Sequence, residues 1–223
     1  MSLRYVLFLG CLQLAALPGA AQRQERPRVP ARQLACTIEP IAKEYYQGEP
    51  IIFRVRIQNK ADSALTLVYA LDGSEALFRA PAAYFMARQL RPAQLPAAGS
   101  RCGILNSLDS TDFIKLQPQA SFNPLLKVAQ VEFQIPQVYP TLPAGDYEIT
   151  FHYSTLEPEQ KRWMGDNNYW PQHAGQTQES LRAQHWSAMQ RQLRRVPRVS
   201  LVSNAVRVHV QQARPAAAQL GGE

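Results

Sequence analysis

The residues with which this chain could do chemistry are four histidines, three cysteines, one aromatic-rich stretch and one arginine-rich stretch. His152, His173, His185 and His209 have no spacing of the His-Glu-x-x-His kind that builds a metal-binding helix. Neither Cys36 nor Cys102 has a second cysteine near it in sequence to begin a zinc site. No Gly-x-Ser-x-Gly elbow, phosphate loop or dinucleotide fingerprint occurs. Ser74 follows Asp72-Gly73, the surroundings of a turn rather than of a nucleophile. Glu157 and Glu159 could be named as the acid and base of a glycosidase, but that chemistry depends on a separation in space that sequence does not set. The chain is therefore read as non-catalytic, with no metal and no cofactor.

Binding chemistry has better candidates. Trp163, Tyr169 and Trp170 stand among Asp166, Asn167, Asn168 and Gln172, where ring faces offer contact area and amides offer hydrogen bonds to a sugar or a protein. The competing reading is that these rings fold back as a small satellite core. Downstream, Arg182, Arg191, Arg194, Arg195 and Arg198 come without one acidic residue between Ser180 and Val202. Such a face suits anionic phospholipid, lipopolysaccharide or an acidic partner. It equally suits a helix whose apolar stripe lies on the body of the protein while solvated arginines complement its negative C-terminal end. The candidate binding set is thus Trp163, Tyr169, Trp170, Arg191, Arg194 and Arg195.

The elements that must carry these residues are mostly strands. Ile51, Phe53, Val55 and Ile57 alternate with polar neighbours, the period-two signal of a half-buried strand. The same alternation recurs at Leu65, Leu67 and Tyr69, at Val131, Phe133 and Ile135, at Tyr147, Ile149, Phe151 and Tyr153, and at Val206, Val208 and Val210. Weaker strands are read at Ala35 to Glu39, Tyr84 to Gln89 and Phe113 to Leu116, for seven or eight in all. Setting Tyr153 opposite Asn204 would place Glu148 opposite His209 and Thr150 opposite Arg207. Many short strands without alternating helices predict an all-β chain, an immunoglobulin-like antiparallel β-sandwich over residues 34–211, with a closed barrel as the alternative. Leu142, Gly145 and Tyr147 have the Leu-x-x-Gly-x-Tyr spacing of a tyrosine corner, whose hydroxyl bonds back to main chain. About 45 residues separate the strand ending near Thr155 from the one starting near Ser203, against the usual 2–5 of a hairpin loop. This insertion, residues 156–202, holds all six candidate binding residues. Leu181, Trp186, Met189, Leu193 and Val196 within it predict an amphipathic helix over about 178–196, N-capped by Thr177 and ended by Pro197.

The ends of the chain speak to compartment. Arg4, the apolar run Tyr5 to Leu17 and the small residues Pro18-Gly19-Ala20-Ala21 form a signal peptide, residues 1–21, cleaved after Ala21. Phe8-Leu9-Gly10-Cys11 also resembles a lipobox, so lipidation at Cys11 is the competing outcome. Removal of residues 1–21 leaves 23 basic against 17 acidic residues, still clearly basic. Export, periplasmic or extracellular, makes nucleic acid a poor partner and permits a Cys36–Cys102 disulfide, which in the chain-entropy picture would contribute about 3–4 kcal/mol. Two unpaired buried thiols are the other reading. Residues 22–33, with Arg23, Arg26, Arg28 and Arg32, read as a flexible basic leader, and 212–223 as a disordered tail.

Glu44-Tyr45-Tyr46-Gln47-Gly48-Glu49-Pro50, running into a strand that ends at Asn59, resembles the opening of a widespread group of exported bacterial immunoglobulin-like domains. Leu116-Gln117-Pro118-Gln119-Ala120-Ser121 is similar to their Leu-x-Pro-Gly-x-Ser step, with Gln119 in the place of the glycine. Pro143-Ala144-Gly145-Asp146-Tyr147 is similar to their Pro-x-Gly-x-Tyr step, and Ser203-Asn204-x-Val206 to the start of their last strand. The group is distantly similar to BsuPI-type proteinase inhibitors and macroglobulin-type domains. The resemblance implies a binding or structural module of the cell envelope and names no ligand. The expected function is a non-catalytic exported module that meets an envelope or extracellular protein, a glycan or an anionic membrane surface through its insertion. A proteinase inhibitor and a carbohydrate-binding module using the insertion's aromatics are the alternatives.

Overall fold

The computed structural model describes residues 26–27, 30, 33–42, 44–90, 107–127, 133–135, 142–165 and 177–213. They form eleven strands and two helices: β1 (Leu34–Pro40), β2 (Tyr45–Tyr46), β3 (Ile51–Asn59), β4 (Leu65–Val68), β5 (Ala82–Gln89), β6 (Phe113–Leu116), β7 (Ser121–Phe122), β8 (Phe133–Ile135), β9 (Gly145–Ser154), α1 (Gln160–Met164), α2 (Gln178–Leu193), β10 (Ser200–Val202) and β11 (Val206–Gln211). The chain is mostly β, as the alternation predicts.

One antiparallel sheet is built on β3, with β1 along one edge and β7 and β8 in succession along the other. A second is built on β9. Its first edge takes β5 from Ala82↔Ser154 to Gln89↔Tyr147, so β10 and β11 must share the opposite edge. The two-residue β2 then adds in parallel to β11. A separate pair, β4 with β6, completes the set. Alternation explains why these sheets bury a common core: Ile51, Phe53, Val55 and Ile57 of β3 and Tyr147, Ile149, Phe151 and Tyr153 of β9 belong to one buried cluster, while Arg54 and Arg56 face water. Each such large side chain contributes about 1.5–3 kcal/mol by leaving water. Tyr153 also ties in the small sheet, its hydroxyl donating to the Val68 carbonyl at 2.7 Å.

The register of the last strands differs from the one the sequence suggested. Tyr153 lies opposite Leu201, Glu148 opposite Arg207 and Asp146 opposite His209. The reason is a break at Ser203–Ala205, where side chains replace ladder bonds. Ser203 Oγ accepts from the Phe151 amide at 2.9 Å, and Asn204 takes both main-chain groups of Ile38, accepting at 2.9 Å and donating at 3.1 Å. Asn204 thereby occupies part of the outer edge of β1, where an unpaired strand would otherwise be open to another chain.

At the start of β9 the Tyr147 hydroxyl donates to the Pro143 carbonyl at 2.9 Å, with Leu142 buried beside it. This is the geometry of a tyrosine corner. Gly145 has φ +152°, which L side chains rarely adopt, and a Cβ there would stand 2.9 Å from Gln89 Nε2. Gln119 is the mirror case. It follows Pro118 at the turn position that requires positive φ, and has φ +62°. Replacing Gln119 with glycine should remove a left-handed cost partly offset by glycine's own entropy, a net gain of about 0.5–1 kcal/mol in urea unfolding. Unchanged or lower stability of the Gln119→Gly variant would show that no strain resides there.

Two boundaries shift. Ser154 pairs with Ser200, so the insertion spans 155–199 and the returning strand begins before Ser203. α2 ends at Leu193 instead of Val196, and the Arg194, Arg195 and Val196 amides bond back to Gln190, Gln192 and Leu193 carbonyls as a closing turn. Residues 1–25 and 214–223, read as signal peptide, start of leader and tail, lie outside the described residues, as does Val131. Among the described residues no helix is long and apolar enough to cross a membrane.

Candidate functional site

The 155–199 excursion leaves and re-enters the sheet through one narrow neck. Buried Thr155 closes it: its amide bonds to the Val199 carbonyl at 2.9 Å, while its hydroxyl donates to the Pro197 carbonyl at 2.6 Å and accepts from the Val199 amide at 3.0 Å. Beyond the neck the excursion shares a second core with the body. Trp163, Met189, Leu193 and Val196 meet Val68, Leu71, Ala80 and Leu108 from the body, with Trp186 partly buried against them. The apolar stripe of α2 is therefore confined to its C-terminal half, where Met189 and Leu193 recur four residues apart. Thr177 caps the other end, accepting from the Ser180 amide. His185 bonds through its ring to the Leu108 carbonyl, a second tie to the body.

This arrangement separates the six candidate binding residues. Trp163 is 3% exposed, and its Nε1 donates to the Glu157 carbonyl at 2.9 Å. The ring is core, so it presents no face to a ligand here; sequence pattern cannot tell a packed indole from an exposed one. Tyr169 and Trp170 lie outside the described residues, together with Asp166, Asn167, Asn168, Gln172 and His173. Arg191, Arg194 and Arg195 are exposed at the end of α2. Of the proposed disulfide pair, Cys36 is buried and makes no disulfide among the described residues, and burial pushes its pKa up to about 12. Cys102 lies outside the described residues.

Two features of the site escape sequence reasoning. The first is Arg26. Read as part of a flexible leader, it instead docks at the neck, donating to the Thr155 carbonyl and lying 5.2 Å over the Trp163 ring. Burial, then the neighbouring charge of Arg198, hold its guanidinium below the ordinary value. Pro27 follows it in, accepting from the Arg198 amide at 2.8 Å. No local signal marks a leader arginine for such a partner 129 residues away. The second is a groove of about 540 Å³ between the helices, lined by Lys161 and Met164 of α1 and Glu179, Arg182, Ala183, Trp186 and Ser187 of α2. The polar residues around it can pair with charge or amides, and Met164 and Trp186 add apolar area. Beside α1 the turn at Leu77 and Phe78 is exposed, fixed by Arg162 donating to the Leu77 carbonyl at 3.1 Å.

The remaining histidines do structural work. His152 stacks on Tyr84 at 5.0 Å, and burial lowers its pKa. His209 pairs with Asp146 at 2.7 Å on the solvent face. Ser74 serves its turn, accepting from the Leu71 amide at 2.8 Å. Among the described residues no group of three or more His, Cys, Asp or Glu side chains could hold a metal ion. Compared with known proteins, the chain matches no family model, no curated protein and no solved structure.

Proposed function

We propose that the chain is a non-catalytic, exported binding module of the cell envelope, an immunoglobulin-like sandwich that meets its partner through the 155–199 excursion. The observation that carries this reading is the neck at Thr155. Forty-odd residues leave the sheet between the directly paired Ser154 and Ser200, so the strand pairing itself closes without them. Yet its described parts, 155–165 and 177–199, pack on a core shared with the body and on Arg26, which is what a contact surface needs to bind without a large ordering cost. On that frame it displays the α1–α2 groove and the arginine end of α2, both accessible, whereas the outer face of β3 shows ordinary solvated charges such as the Arg54–Glu39 pair.

Site-specific photo-crosslinking in exporting cells tests this. A crosslinker at exposed Ser187 or Arg191 should give discrete adducts with an envelope component, protein or lipid, read by gel and mass spectrometry. The same group at Arg56, on the outer face of β3, should give none. Identical adducts from all three positions, or adducts from Arg56 alone, would remove the excursion as the contact element.

A further inference from the structure

We propose that the arginine-rich end of the excursion, Arg191, Arg194 and Arg195 joined by Arg198, docks on an anionic phospholipid bilayer. The inference rests on the reading of the excursion as the contact element and names its partner. Its basis is a convergence the sequence does not show. The basic leader and the basic end of α2 lie more than 160 residues apart, yet the Arg198 amide bonds to the Pro27 carbonyl and Arg26 enters the neck beside it. Cations from two segments therefore occupy one end of the molecule.

Their charge is not consumed locally. Among the described residues Arg191, Arg194 and Arg195 pair with no carboxylate, while Glu157 and Glu159, the acids nearest the neck in sequence, pair with Arg162. The helix C-terminus carries only about half an elementary negative charge, too little to balance three exposed arginines. Part of that charge is already met, because the Arg194, Arg195 and Val196 amides bond to terminal carbonyls of α2.

The choice of a bilayer over a soluble acidic partner comes from where the leader goes. The apolar run Tyr5 to Leu17 ends nine residues before Arg26. That tether reaches at most about 32 Å, so while the apolar run is in a membrane it holds this end of the molecule toward it. Leu156, 42% exposed and next to Thr155 in the neck, offers apolar contact at the same end.

The test is co-sedimentation of the full chain, as processed by an exporting host, with phosphatidylglycerol-containing vesicles and with pure phosphatidylcholine vesicles. Binding should require the anionic lipid and be abolished by molar salt, which shortens the screening length to about 3 Å. At about five-fold per arginine, the triple variant Arg191→Gln, Arg194→Gln, Arg195→Gln should partition about 100-fold more weakly. Arg54→Gln, Arg56→Gln, Lys60→Gln removes the same charge from elsewhere on the surface and should partition within a few-fold of the parent. Circular dichroism checks both folds, and the single Arg194→Gln variant, expected to lose about five-fold, replaces the triple if that misfolds. Equal loss in the two triples, or equal binding to neutral vesicles, overturns the proposal. Insertion-specific protein crosslinks from Ser187 without bilayer preference would end it while leaving the excursion as the contact element. Absence of both would end the two readings together.

Discussion

Replacing Asn59 with leucine is expected to destabilise the protein by about 3–5 kcal/mol in urea unfolding, through two carbonyls and one amide left without partners in the interior. Asn59 is fully buried at the end of β3, and its side chain spends every bond on main chain. Nδ2 donates to the Ser63 carbonyl at 2.8 Å and to the Leu116 carbonyl at 3.0 Å, and Oδ1 accepts from the Ala61 amide at 2.9 Å. The amide thus fixes the turn out of β3 and joins it to the end of β6. Leucine keeps the branching of the side chain but is bulkier, so about 1–3 kcal/mol of overpacking adds to the polar loss. Asn59→Asp separates the causes, because a carboxylate would aim lone pairs at two carbonyls. Its folded-state pKa should be raised above the unfolded value of about 3.9, so stability is greatest below that pH and falls as pH rises through the raised pKa. A leucine variant within 1 kcal/mol of the parent, or an aspartate variant with no added pH dependence, would show that the turn does not depend on these bonds.

That turn shows what alternation encodes and what it does not. β3, β9 and β11 were legible because a strand with one wet face writes its burial into every second residue, and β6 begins and ends where the pattern does. β2, β7 and β10, of two or three residues, are too short to display a period. Their pairing is decided by neighbours. The register of β11 against β9 was missed for a related reason: Ser203 and Asn204 substitute side-chain bonds for ladder bonds, and no hydrophobic pattern marks such a substitution. Main-chain geometry is fixed by special residues at four places the sequence singles out: Asn59, Gln119 with its positive φ, Gly145 with Tyr147, and Ser203 with Asn204.

The site was less legible because its logic is long-range. Sequence placed an aromatic and an arginine-rich stretch in one insertion and could not say which rings are packed. The structure divides them, Trp163 into a core and Arg191, Arg194 and Arg195 into solvent, and brings in Arg26 from a leader with no visible reason to be ordered. Local composition predicts such a leader to be loose; for Arg26 a buried carbonyl at Thr155 and the face of an indole decide otherwise.

Trp163 is the point at which these elements meet, so its loss should have the second large effect. Trp163→Ala removes the largest side chain of the excursion's core and is expected to cost about 3–5 kcal/mol. The cost should fall locally. Hydrogen exchange should show α2 amides losing most of their protection while β3 and β9 retain theirs, because the main-sheet cluster contains no residue of α1 or α2. Trp163→Phe should be much milder, about 1 kcal/mol. It keeps most of the apolar area, and the Glu157 carbonyl left by Nε1 still lies 3.4 Å from Arg26 Nη2. In the alanine variant Arg26 also loses the ring beneath it, so the leader and the arginines of α2 are no longer held as one face. Vesicle partitioning should then drop although no charge has been removed, which separates a preorganised surface from a sum of cations. Full α2 protection with parental stability in Trp163→Ala would show that the indole is a passenger and the excursion is held by its neck alone.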